Sequence, residues 1–123
     1  MMHWIDNLPS NMVGFRATGE ITEHDFTSLV IPQVKAQVKK TGKLNYMLIL
    51  DTSVRNFTLG AWLKDVLLGL KNLTKWNRAA IVSDSSIIRK FTDIFSLFMP
   101  GEFKGFEPHN LKDAIDWTAE RTA

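Results

Sequence analysis

The side chains able to move a proton, attack a carbonyl or hold a metal are few and scattered. The three histidines, His3, His24 and His109, lie far apart in the chain, and there is no cysteine. A disulfide frame, a thiolate nucleophile and a Cys-ligated zinc site are therefore excluded. His24 falls in the first turn of a helical pattern and His109 beside a cap, so both read as helix-end surface residues, and no metal site is expected. Glycines at 14, 19, 42, 60, 69, 101 and 105 fit neither the dinucleotide-binding nor the phosphate-loop spacing. No serine sits in a Gly-x-Ser-x-Gly elbow. A small enzyme would have to use Asp51, Ser83 or His109 at strand ends, and no spacing supports that, so no catalytic residue and no cofactor are expected. Asp51 reads as a turn-forming residue. "SDSS" at 83–86 reads as a helix cap, with a phosphate-bearing helix start as the alternative.

Binding chemistry is better represented. Between Asp25 and Asp51 there is no acid, but Lys35, Lys39, Lys40 and Lys43 fall there. Between Asp65 and Asp84 there is again no acid, but Lys71, Lys75 and Arg78 do. These are two local basic faces in a chain of net charge +2. They read either as solvated helix surface or as attraction to an anionic membrane or ligand. The modest total charge and the lack of a basic-aromatic motif argue against nucleic acid. Five of the eight phenylalanines lie within "FTDIFSLFMPGEFKGF", residues 91–106, a high aromatic density for one corner of a small domain.

Elements that would position these residues follow from periodicity. At 123 residues and 45% apolar content the chain suits one domain, residues 1–123, with one core. No apolar run approaches the roughly 18 residues that span a bilayer. The first residues lack the basic-then-apolar order of a secretory signal, and a cytoplasmic location is expected. Residues 11–21 alternate with period two, giving a strand that ends at Gly19, with a short strand before it over His3–Asp6. Thr22, with Asp25 three residues on, suggests a capping box. The helix it opens must break, kink or restart at Pro32 and stop at Gly42. "LNYMLIL" and "RAAIVSD" are buried strands. Thr58 caps a helix whose face is Leu59, Leu63, Val66, Leu70 and Leu73. Asp84 or Ser85 caps another, whose apolar stripe is Ile87, Phe91, Ile94, Phe95 and Phe98, a pattern that usually marks core. "EFKGF" is an edge strand, and Asn110 with Asp113 opens a last helix. Alternation of strands and helices predicts an α/β fold: a central, mostly parallel sheet with about four helices on its faces.

With this order in place, "NMVGFRATGEIT", "GAWLKDVLLGLKNL", "RAAIVSD" and "FTDIFSLFMPGEFKGF" resemble the SpoIIAA-like family across nearly the whole chain. That family belongs to the STAS domains and is similar in fold to CRAL-TRIO lipid-binding domains. The resemblance implies a non-enzymatic module that binds a ligand, a membrane or a protein. Antagonist-type STAS proteins carry a phosphorylated Asp-Ser-Ser-Gly motif, whereas this chain reads "DTSVRNFTLGAW" there. Asp51 and Gly60 match the ends, and Thr58 is left as the residue able to accept phosphate.

The leading expectation is a bacterial, cytoplasmic module that binds a hydrophobic or amphipathic anionic ligand, a lipid foremost, with peripheral association to the inner face of a membrane. Its apolar wall is assigned to Trp62, Leu63, Val66, Leu67, Phe91, Phe95, Phe98 and Met99. Lys64, Lys71 and Lys75 are the head-group or membrane contacts. The alternative is a protein-interaction module regulated at Thr58 or Ser53. The edge strand at 102–106 would permit a homodimer.

Overall fold

The computed structural model describes residues 1–51, 75–97 and 101–121, without the side chains at 23, 26, 27, 91 and 95. The expected helix from Thr58 to Leu73 lies outside the described residues. Five strands form one sheet in the order β1-β2-β3-β4-β5. They are β1 (Met2–Trp4), β2 (Val13–Thr18), β3 (Leu44–Asp51), β4 (Trp76–Val82) and β5 (Glu102–Phe106). β1 runs antiparallel to β2, and the other pairs are parallel. Three helices of eight residues or more accompany them among the described residues: α1 (Ile31–Thr41), α2 (Ser86–Phe95) and α3 (Leu111–Thr118).

Local chemistry accounts for the first crossover. Thr22 and Asp25 make the reciprocal cap: Asp25 N–H donates to Thr22 Oγ1 at 3.2 Å, and Thr22 N–H donates to Asp25 Oδ2 at 2.9 Å. The backbone bond from Thr22 is the main reason the Asp25 carboxyl titrates below its usual range. The helical path then does not break at Pro32. It widens into a π-helical turn over Phe26–Val30 and enters α1 with the proline in its first turn. The wider turn makes room for a ring that would clash with a regular preceding turn and has no N–H to give. Gly42 ends α1 in the left-handed region at φ 78°, donating to Val38 O at 2.7 Å.

The two sheet faces carry different cores. On one, Phe15, Tyr46, Trp76 and Phe103 form a row of ring contacts across β2 to β5, with centroids 5.3–5.8 Å apart. Val30 and Val34 from the α1 side and Ile88 of α2 close this layer. Burial pushes the Tyr46 phenol far above its ordinary pKa. On the other face Met12, Met47, Ile49, Ala80, Val82 and Phe106 pack against Ala114 and Ala119 at α3. α3 ends in a Schellman turn: Arg121 N–H reaches Asp116 O at 2.8 Å and Glu120 N–H reaches Trp117 O at 3.1 Å. Glu120 holds the left-handed position, φ 58°, that glycine usually takes. Its carboxylate accepts from Lys43 Nζ and Asn77 Nδ2, both at 2.7 Å, which a glycine could not do. Asn110 stands at the α3 N-cap but makes no side-chain cap bond, contrary to expectation; a 3₁₀ turn over Pro108–Asn110 leads into the helix instead.

Candidate binding surface

α2 is held against β4 and β5 by its own polar residues. Ser85 caps it, its Oγ accepting from Ile88 N–H at 3.4 Å, and Ser83 Oγ accepts from Ser85 N–H at 3.1 Å. Arg89 donates to Ser83 O at 2.8 Å and pairs with Glu107 at 3.4 Å. Two further bonds reach β5. Asp93 Oδ1 accepts from Gly105 N–H at 2.9 Å, and Ser96 Oγ accepts from Phe103 N–H at 2.8 Å. Phe106 O accepts from Ser83 N–H at the β4 side, so residues 102, 104 and 106 turn their backbone groups inward and 103 and 105 turn theirs to the open edge. Both outward amides are thus occupied by side chains of α2 and its C-cap, which blunts this edge against another strand. The approach is close enough to require glycine: a Cβ on Gly105 would sit 2.7 Å from Arg89 Cα.

This docking fixes which side of α2 faces in. Ile88 and Thr92 are buried, and Thr92 Oγ1 donates back to Ile88 O at 2.8 Å. Ile87, Ile94 and Leu97 are 78%, 58% and 81% exposed. The expected core stripe is therefore corrected: Ile87 and Ile94 belong to the outward face. Lys90 is exposed and falls between them in sequence. On α1, which covers the same sheet face, Val34 and Gln37 point in, while Lys35 and Lys39 are exposed and no acid interrupts them.

Most residues assigned to the ligand wall lie outside the described residues: Trp62, Leu63, Val66, Leu67, Phe98 and Met99, together with Lys64, Lys71 and Thr58. Phe91 and Phe95 belong to α2, but their side chains are likewise not described. Lys75 is exposed just before β4. The residues raised as enzyme candidates have separate partners. Asp51 pairs with Arg16 at 3.5 Å, His109 with Glu107 at 3.1 Å, and Ser83 Oγ serves the Ser85 turn. Sequence reasoning missed the Phe15–Tyr46–Trp76–Phe103 row, because only strand register brings those four rings together. On the opposite face a groove of about 720 Å³ runs beside α3. Its cations already cover its rings: Arg78 lies 5.0 Å from the Trp117 centroid and Lys104 lies 5.2 Å from that of Phe106.

The fold and the matched segment agree on a family. The chain matches the SpoIIAA-like family over residues 12–119. It belongs to that family. Among solved structures it is similar to an uncharacterised protein from Shewanella loihica PV-4 with a SpoIIAA-like fold, at 24% identity and a TM-score of 0.69, covering 95% of this chain and 93% of that one. That likeness concerns the fold. No curated protein matches the chain. No helix among the described residues is long and apolar enough to cross a membrane.

Proposed function

We propose that this SpoIIAA-like protein is a non-enzymatic binding module that docks peripherally on an anionic lipid surface and takes an amphipathic lipid as its ligand. The observation that carries the reading is the outward exposure of Ile87 and Ile94 on α2, and of Leu97 just past its end, while Ile88 and Thr92 of the same helix are buried. Isolated exposed apolar residues are ordinary, but Ile87 and Ile94 on α2 with Leu97 just past its end form a strip. Lys90 within the strip and Lys35 and Lys39 on α1 supply the cations that an anionic leaflet favours, at about 1 kcal/mol for each lysine near the surface. Apolar side chains entering the head-group layer with lysines beside them is the arrangement of interfacial helices. The interior wall for the acyl chain remains the one assigned from sequence, Trp62 to Met99.

Sedimentation with vesicles tests this. The protein should pellet with vesicles containing phosphatidylserine, release in high salt, and ignore phosphatidylcholine vesicles. Native mass spectrometry should show a lipid-sized mass on the purified protein. If the protein ignores both vesicle types and carries no such mass, the lipid reading fails and a protein partner takes its place.

A further inference from the structure

A second region has the marks of a small-molecule site and owes nothing to the outward strip. A cavity of about 290 Å³ lies between the N-terminal segment and the flank of α1, at the N-terminal end of β2. That is near the lower limit of roughly 300 Å³ for ligand pockets, the size of a small metabolite. One wall is apolar: Trp4, Leu8, Pro9 and Met12. The other is the α1 strip Gln33, Ala36, Gln37 and Lys40, spaced at three, four and seven residues so that all share one flank.

The wall is held in place before any ligand arrives. Ile5 N–H donates to Gly14 O at 3.0 Å, and Met12 N–H donates to Pro9 O at 3.2 Å. Leu8 lies over Gly14 so closely that a Cβ there would meet Leu8 Cδ1 at 2.5 Å. Gln37 is 7% exposed, and among the described residues its side chain makes one long bond, 3.4 Å, from Nε2 to Thr41 Oγ1. Among the described residues the carboxamide oxygen has no partner, and it is not sealed from solvent. That amide lines the cavity, where a ligand's polar atom can meet it. Asp6 and Lys40 also line the cavity, and among the described residues neither takes part in an ion pair.

We propose that this cavity binds a small zwitterion with an apolar body, the chemistry of a free apolar amino acid. Its ammonium faces Asp6, its carboxylate faces Lys40 and the Gln37 amide, and its side chain lies on Trp4, Leu8 and Pro9. One anion and one cation, unpaired with each other, set the net charge of the lining to zero and favour a ligand of the same balance over a simple acid or amine.

Isothermal titration of the full chain with L-leucine, L-methionine and L-phenylalanine tests the proposal, with isocaproate and isopentylamine as the single-charge analogues of leucine. Saturable binding is expected for at least one amino acid, with the analogues weaker. Asp6→Asn and Lys40→Gln should each weaken the amino acid about two- to fivefold, as loss of one exposed ion pair implies. Asp6→Asn should leave isocaproate unchanged, and Lys40→Gln should leave isopentylamine unchanged. Ala36→Phe, at an exposed helix position, should abolish binding while the melting temperature holds. Gln37→Met should weaken binding, because it removes a polar group that lines the cavity. Absence of saturable binding by all three amino acids overturns the proposal, as does binding that none of these substitutions changes. Vesicle sedimentation is independent of either result, because Ile87, Ile94 and Leu97 do not line the cavity.

Discussion

Helices α2 and α3 meet the sheet in the same way and differ on the side they turn away from it. Each presses a small contact surface inward, Ile88 with Thr92 or Ala114 with Thr118, and each buries its threonine completely. Thr92 Oγ1 returns to Ile88 O at 2.8 Å, and Thr118 Oγ1 to Ala114 O at 2.7 Å. Outward, α3 shows Lys112 and Asp113, with Lys112 paired to Asp116 at 2.8 Å, an ordinary solvated face. α2 shows Ile87 and Ile94, with Leu97 just past its end, beside the exposed Lys90 and Asp93. That difference is the reason for assigning it a surface to bind.

The comparison can be broken in several ways, beginning with the largest effect. Ile87→Asp combined with Ile94→Asp should reduce sedimentation with anionic vesicles more than tenfold and shift stability by no more than about 0.5 kcal/mol, as for surface positions generally. Lys112→Glu on α3 should leave sedimentation unchanged. Equal loss from both variants would mean that net charge, and not the α2 strip, drives association. Next, Gly105→Ala should cost about 2 kcal/mol or more in urea unfolding, because the new Cβ meets helix backbone that cannot yield. Among the described glycines none is clamped against α3 in this way. Gly14→Ala, whose nearest obstacle is the end of the Leu8 side chain, should cost less. A third test addresses the likeness itself: Thr92→Val and Thr118→Val each remove one buried hydroxyl bond and should cost about 1 kcal/mol, equal within error.

The smallest expected effect separates the helices by pH. At the end of α3, hydrogen bonds from Lys43 and Asn77 hold the Glu120 carboxyl below its ordinary value of 4.5. A folded-state pKa below the unfolded one contributes stability that is present above 4.5 and lost as pH falls through the folded value. Thermal melts from pH 6 down to about pH 3 should therefore show a shallower acid decline in Glu120→Gln than in the parent protein. An unchanged slope would remove Glu120 from the acid-sensitive set.

What the sequence determined by itself is what depends on neighbours along the chain. The Thr22–Asp25 cap, the stop at Gly42, the apolar runs of β3 and β4 and the Ser85 cap each need only a few consecutive residues, and all are present. A strand–helix alternation with those boundaries leaves little choice but a mostly parallel α/β sheet. Tertiary structure alone decided how α2 is turned. Periodicity shows that a helix has an apolar side, but not that this side faces the protein. Ile87 and Ile88 differ by about 100° around the axis, and either could have led into the core. The choice came from contacts distant in sequence: Asp93 and Ser96 on the open amides of β5, and the close approach over Gly105. The cavity beside α1 was hidden for the same reason. Lys40 reads only as part of a basic helix face until the N-terminal segment, pinned by Leu8 on Gly14, lies across from it.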